Sequence, residues 1–591
     1  MDATNRNTAL ASAMVEELAR CGVRRALLSP GSRSTPLALA LWRQPAIEVE
    51  VVLDERDAAF GALGSALATG VSAVVLCTSG SAAGHFHPAV IEADEASVPL
   101  IVLTADRPPE LRGVGAGQTI DQLKLYGDAV RWFCEVGTHE ADDDGLLHFR
   151  SVACRAYAAA AGDPRPGPVH LNVSWREPLA PIPVEGAVTA TDRLALEGRG
   201  ERPLSAVARG PEAPDPLLLD ELAERIASAP RGLVLAGRQP DAGLAEPVCA
   251  LAEAAGYPLL AEPTSQLRWP HAYEGSVPGY DLIARSRPAD LEPELVLRVG
   301  ELPTSKALRR WLGAVPGLRQ IVIDPVGEWK EPTRRAESIV RADPRLLAAG
   351  LAARLKAGAE ARRAATAGDG DRSWRQLWVD AQHSMGSSLA ELLADRDELS
   401  EPGIWPALAG VLRDGDQVLA ASSMPVRDQE SFLPPGRARV RFLSNRGANG
   451  IDGLIATAAG ASLGADARTW AVLGDLAFAH DIGGLALAAR APKLRLLVLD
   501  NGGGGIFHFL PQAEALPAEE FEALLGTPSG LDPLAAASLF GLSAARVRSP
   551  AELAAALAGE ARVIVVPLDR RRNLELHREL AEAAASALSA A

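Results

Sequence analysis

Residues 470–509 hold a carboxylate and an amide, Asp475 and Asn501, each just beyond an apolar run. The runs 470–473 and 494–499 read as strands, the second as one buried on both faces of a parallel sheet. A small-residue helix over roughly 481–490 lies between them, and Pro492 ends it because proline cannot continue the hydrogen-bond ladder. A right-handed crossover brings both strand C-termini to one sheet edge, where open α/β folds bind ligands. Glycines 502–505 follow Asn501, and without Cβ atoms they let backbone groups approach a ligand closely. A carboxylate, an amide oxygen and a backbone carbonyl are hard donors suited to Mg²⁺, which completes its octahedron with water and phosphate oxygens. The stretch therefore predicts a Mg²⁺-diphosphate site. Read alone, it fits equally well an ordinary strand-to-helix turn with an Asp N-cap and a flexible glycine loop.

Other polar residues also follow apolar runs. Ser32 and Arg33 lie in a loop after the strand 25–28, at a ligand edge where a guanidinium can clamp a carboxylate. Glu55 leaves the strand 47–53 and opens a helix of glycine and alanine. Such a residue usually complements the helix dipole, but close packing could desolvate it and raise its pKa toward proton exchange. Arg107 and Gln118 border a glycine-rich loop, Ser423 and Arg427 follow another strand, and Arg446 precedes a small-residue helix. Lys306 opens a helix, where an exposed surface lysine is the ordinary reading. His85 and His87 flank Phe86 with no further ligand nearby and read as helix-entry packing.

The elements that must position these residues fall into α/β; three doubly wound parallel-sheet domains are expected. The boundaries are 1–185, 217–356 and 374–591, with linkers at 186–216 and 357–373. Strand, polar loop, helix, proline and strand recur in 73–106 and again in 470–501, so the two outer domains should be built alike. The 591 residues suffice for three cores. A net charge of −16 argues against a general grip on nucleic acid or anionic membrane, so an anionic substrate needs a local cationic patch. The five cysteines show no CxxC spacing and indicate neither a disulfide frame nor zinc. Without a signal-like start or a membrane-length apolar run, the expectation is a cytoplasmic protein with no membrane insertion.

The motifs SPGSRSTPL, DERDAAFGALG, TSGSA, LTADRPPEL, SNRGANGIDG, GDLAFAHD and DNGGGGIFHFLP, in this order, resemble one enzyme family. It is that of the thiamine diphosphate (ThDP)-dependent 2-succinyl-5-enolpyruvyl-6-hydroxy-3-cyclohexene-1-carboxylate (SEPHCHC) synthases of menaquinone biosynthesis. The resemblance implies a pyrimidine-binding, a central and a diphosphate-binding domain. It also implies a homodimer or homotetramer whose active sites lie at subunit interfaces, and a reaction that decarboxylates 2-oxoglutarate and adds the succinyl unit to isochorismate. Asp475, Asn501 and the Gly503 carbonyl would hold Mg²⁺ or Mn²⁺ on the diphosphate, with Gly474, Leu476, Ile451 and Ile506 against the cofactor. Glu55 would hydrogen-bond N1′ of the aminopyrimidine. Ser423, Arg427 and Arg446 would take the succinyl carboxylate, and Ser32, Arg33, Arg107, Gln118 and Lys306 isochorismate, with Ile506 and Phe507 as an apolar wall. Some relatives carry an arginine after the lysine where this chain has Ala307, and Arg309 or Arg310 would compensate. Another ThDP carboligase, or a non-catalytic protein of this fold, are the alternatives.

Overall fold

The apolar runs become buried parallel strands. The computed structural model describes residues 2–162, 165–208, 210–270, 273–363, 373–394 and 396–590. The first sheet holds β1 (Arg25–Leu28), β2 (Glu48–Val51), β3 (Ala73–Cys77), β4 (Leu100–Asp106), β5 (Trp132–Glu135) and β6 (Pro168–Ser174), in the order β2-β1-β3-β4-β6-β5. The middle sheet holds β7 (Gly232–Ala236), β8 (Leu259–Ala261), β9 (Leu295–Val299), β10 (Arg319–Ile323) and β11 (Ala336–Val340), ordered β11-β10-β9-β7-β8. The last holds β12 (Gln417–Ala420), β13 (Arg441–Leu443), β14 (Thr469–Gly474), β15 (Leu494–Asp500), β16 (Ala544–Arg546) and β17 (Val563–Pro567), ordered β13-β12-β14-β15-β17-β16. Every strand pair is parallel, and the last sheet repeats the winding of the first strand for strand. The outer domains are thus built alike, as the recurring pattern predicts. The helix Pro344–Arg363 continues past residue 356, and 364–372 lie outside the described residues.

The two outer sheets share one core. Phe60, Leu63 and Ala66 of the helix Glu55–Thr69 pack with Leu454, Ile455 and Ala458 of the helix Leu454–Ala465. The helices approach backbone to backbone: a Cβ on Gly460 would stand 1.8 Å from the Gly61 carbonyl oxygen, and one on Gly64 would stand 1.9 Å from that of Thr457. The glycine and alanine pattern that flanks Glu55 is therefore spent on this contact.

The helix expected over 481–490 is divided instead. One helix spans Asp475–His480, Ile482–Gly484 is a single 3-10 turn and Leu485–Ala488 is helical again. The break falls at Asp481, whose Oδ2 accepts from the amides of Ile455 at 2.6 Å and Ala456 at 2.9 Å and so caps the neighbouring helix. Asp57 stands against Asp481 across the domain contact. Burial and the charge of Asp54 push the Asp57 carboxyl up to about 6, and burial with the Asp57 charge drives Asp481 well above the usual carboxylate range.

Two outcomes follow from this contact. Gly460→Val forces the helices apart and destabilises the protein by roughly 1–3 kcal/mol, read as a lowered thermal midpoint. Because the folded pKa of Asp57 lies above its unfolded value, its contribution is complete below about pH 4 and is lost as pH rises through about 6. The thermal midpoint of Asp57→Asn should therefore gain on the parent's as pH is raised from about 4 to about 7, whereas a constant difference would exclude the raised Asp57 carboxyl.

Candidate functional site

The C-terminal edge of the last sheet carries the donors expected there. Asp475 opens its short helix directly after β14, is buried, and receives the backbone amides of Leu476 and Gly503. Burial and the nearby Asp500 charge push its carboxyl up to about 6. Asn501 follows β15 and donates from Nδ2 to Glu401 Oε1 at 2.9 Å, while its buried Oδ1 has no hydrogen-bond partner. Gly503 adopts φ +139°, and a Cβ there would stand 2.1 Å from the Gly526 carbonyl oxygen, so only glycine fits. The Gly503 carbonyl accepts from Gly505 at 2.9 Å and keeps a second lone pair. Asp475, Asn501 and Gly503 line one cavity of about 530 Å³ with Gly474, Leu476, Ile451, Ile506 and Phe507. A buried carboxylate beside an unpartnered amide oxygen and a carbonyl is a donor set that fits a hard divalent cation.

Glu401 explains why the amide faces this way. It is fully buried, and burial with the Asp428 charge pushes its carboxyl up to about 8. Asp428 Oδ1 meets His577 Nε2 at 2.9 Å, and His577 Nδ1 lies 2.8 Å from the Asn573 carbonyl. A chain of polar groups thus runs from Asn501 through Glu401 and Asp428 to His577. Sequence reasoning missed Glu401 because it opens the helix Glu401–Ala409 behind the N-cap Ser400, where an acid reads as a dipole complement.

Cations surround the apolar wall. Ser423, Arg427, Arg446 and Arg309 line the same cavity. A second cavity of about 470 Å³ shares Arg309, Met424, Arg427 and Ile506 with it and adds Lys306, Ala307 and Arg310. Lys306, Arg309 and Arg310 all come from the helix Lys306–Ala314, so the central domain supplies one side of a continuous cleft. Among the described residues none of Lys306, Arg309, Arg310, Arg427 and Arg446 is engaged in an ion pair. Burial lowers the pKa of Arg427 and Arg446, and the charge of Arg427 lowers that of Arg446 further. A guanidinium nevertheless stays protonated in proteins. Ile506 and Phe507 are half-buried against this space and are not ordinary core.

The N-terminal residues form a separate group. Arg107 Nη1 donates to the Ser79 hydroxyl and, at 3.0 Å, to the Gln118 carbonyl; Gln118 Nε2 donates to the Ser79 carbonyl at 3.1 Å. Arg33 donates to the Trp175 carbonyl at 2.9 Å, lies 3.4 Å from Glu177 and feels the Arg107 charge, while Ser32 is exposed. Ser79, inside TSGSA, was not singled out, although like Ser32 it lies in a loop between a strand and the following helix. Glu55 is half-buried at the start of its helix and lines neither cavity of the C-terminal half. The chain therefore gathers two groups of predicted residues and does not join them. His87 packs edge-on against Tyr126 with ring centroids 5.5 Å apart, the packing role expected of it.

Residues 8–125 match the model of the thiamine pyrophosphate enzyme N-terminal TPP binding domain, and 433–564 match that of the C-terminal TPP binding domain. The chain is 39% identical to a 2-succinyl-5-enolpyruvyl-6-hydroxy-3-cyclohexene-1-carboxylate synthase of Myxococcus xanthus, over 98% of this chain and 97% of the relative. It is 40% identical to the synthase of the same name from Geobacillus kaustophilus, over 96% of each. Against that from Rubrobacter xylanophilus the identity is 41%, over 97% of each.

Replacing Glu401 by leucine removes the acceptor that orients the Asn501 amide. Mn²⁺ affinity, read by electron paramagnetic resonance in the presence of ThDP, should fall about 10- to 100-fold, with a smaller loss in Glu401→Gln.

Proposed function

The chain belongs to the family of thiamine diphosphate-dependent SEPHCHC synthases, and from that premise we propose which of its residues hold the cofactor and the two substrates. The family reaction forms SEPHCHC in menaquinone biosynthesis: 2-oxoglutarate loses CO₂ and its succinyl unit adds to isochorismate. When bound, ThDP supplies the nucleophilic carbon and the electron sink for both stages.

Asp475, Asn501 and the Gly503 carbonyl hold Mg²⁺ or Mn²⁺ on the diphosphate, with Gly474 and Leu476 against it, and Ile451 and Ile506 support the cofactor. Arg427 and Arg446, with Ser423, take the carboxylate of the succinyl unit through charge-assisted hydrogen bonds. Lys306 takes isochorismate from the central domain, and Arg309 stands in for the arginine that Ala307 lacks. Ile506 and Phe507 keep water from the reacting carbons. The observation that carries this reading is the row of cations without carboxylate partners beside the Asp475 and Asn501 donors, since two dicarboxylate substrates need such a row and pyruvate does not.

Glu55 would hydrogen-bond N1′ of the cofactor's aminopyrimidine and hold a proton there, and Ser32, Arg33, Arg107 and Gln118 would take isochorismate together with Lys306. Because Glu55 lines neither C-terminal cavity of its own chain, it serves the cofactor held by a second copy, in a homodimer or homotetramer. No helix among the described residues is long and apolar enough to cross a membrane.

With ThDP and Mg²⁺, the purified protein should consume 2-oxoglutarate only alongside isochorismate, and rapid turnover of pyruvate alone would overturn the assignment. Glu55→Gln should bind ThDP yet lose turnover by about 10²- to 10⁴-fold. Mixed with an inactive Asn501→Ala chain and allowed to exchange subunits, it should regain activity, because one of the two sites in a mixed dimer is then intact. No regain would place each site within a single chain.

A further inference from the structure

A pair of thiols stands on the far side of the N-terminal sheet from Glu55. Along β3, Val75 joins the core that holds the helix Glu55–Thr69, whereas Val74 and Leu76 join the opposite core. That opposite core holds the helices Arg6–Cys21 and Asp143–Ala161. Cys21 ends the first of these and Cys154 lies on the second, with Sγ atoms 3.9 Å apart. Both line a cavity of about 280 Å³ walled by Tyr157, Gly162, Pro203 and Ser205, so a small molecule can reach the sulfurs. Neither thiol takes part in the reaction above.

We infer that Cys21 and Cys154 form a hydroperoxide-reactive dithiol, in which Cys154 is the nucleophile and Cys21 resolves it to a disulfide. A disulfide needs its sulfurs about 2.05 Å apart. From 3.9 Å that gap is of the size side-chain rotation closes. The environment distinguishes the two roles. The Cys21 thiol and the backbone amides of Ser205 and Leu204 donate toward the Cys154 sulfur and bring it down to about 7, while Cys21, as donor, is pushed up. The carboxylate facing the pair, Glu17, lies 3.8 Å from the Cys154 sulfur, but Arg150 at 2.8 Å, Arg20 and the Leu204 amide at 2.7 Å hold its charge. The remaining cysteines lack this setting: burial pushes Cys77, Cys134 and Cys249 up. Cys154 is itself buried, and reagent reaches it through the cavity it lines with the half-exposed Cys21; a thiol of lowered pKa beside a resolving partner is the arrangement that oxidation selects.

In the first step the Cys154 thiolate attacks the terminal oxygen of the hydroperoxide. The O–O bond breaks, the alkoxide or hydroxide takes a proton, and Cys154 becomes a sulfenic acid. The Cys21 sulfur then attacks the Cys154 sulfur, the S–O bond breaks, and the hydroxide leaves as water with the Cys21 proton. Two thiols are oxidised and one hydroperoxide is reduced.

The reduced full-length protein, titrated with hydrogen peroxide, alkylated and mapped by mass spectrometry, tests this without any substitution. The expected result is a Cys21–Cys154 linked peptide with Cys77, Cys134 and Cys249 still alkylated at the same dose. In Cys21→Ser the link should be replaced by a dimedone adduct on Cys154, and in Cys154→Ser residue Cys21 should stay reduced. Oxidation of Cys134 or Cys249 at a lower dose, or two untouched thiols at doses that oxidise them, would overturn the inference.

Discussion

The close approach of the helices Glu55–Thr69 and Leu454–Ala465 is the constraint on which the molecule rests. With Gly61 and Gly64 on one side and Gly460 on the other, the backbones meet where ordinary side chains would hold them apart. The contact joins the two outer sheets in one core and sets Glu55 at its margin. It also consumes the charged end of the interface, since Asp481 leaves its own helix to cap the facing one and meets Asp57 there. Glu55 lines neither cavity beside Asn501 of its own chain, which is why the proposed site calls on a second copy.

The other organising feature is electrostatic. Over the whole chain acids outnumber bases, with a net charge of −16, yet the cleft between the central and last domains is lined by Lys306, Arg309, Arg310, Arg427 and Arg446, while the acids beside them, Asp281, Asp428 and Glu430, are engaged with Arg285, His577 and Tyr280. The global balance repels anions at long range, but screening confines that repulsion to about 8 Å, and inside the cleft the local cations decide. Elsewhere many arginines are neutralised, as Arg150 is by Glu16 and Glu17 and Arg572 by Glu398.

The sequence was most informative where function and local geometry coincide. Asp475 and Asn501 sit at strand ends, so an apolar run followed by a polar residue locates both, and the repeated grammar of 73–106 and 470–501 anticipates two sheets of identical winding. It failed where the partner is distant in sequence. Asp481 looks like the first residue of a helix, and only the fold brings Ile455 and Ala456 to its carboxylate. Glu401 looks like a cap residue until Asn501 is placed beside it. The short strand β8 and the half-exposed β11 carry no long apolar run and left no periodic signal. Arg309 was reached only through the resemblance, as one of two arginines that could replace the one missing at Ala307; it lies one helical turn beyond Lys306 and shares its face.

Arg427 and Arg446 are each largely withdrawn from water, and a neighbouring guanidinium lowers the proton affinity of each further, Arg309 that of Arg427 and Arg427 that of Arg446. Like charges held together by a rigid scaffold resemble a compressed spring. The fold does the work of compression as the chain condenses, and under the proposed reading an anion that enters would let it relax. Recognition is thus prepared during folding, well before any guest arrives.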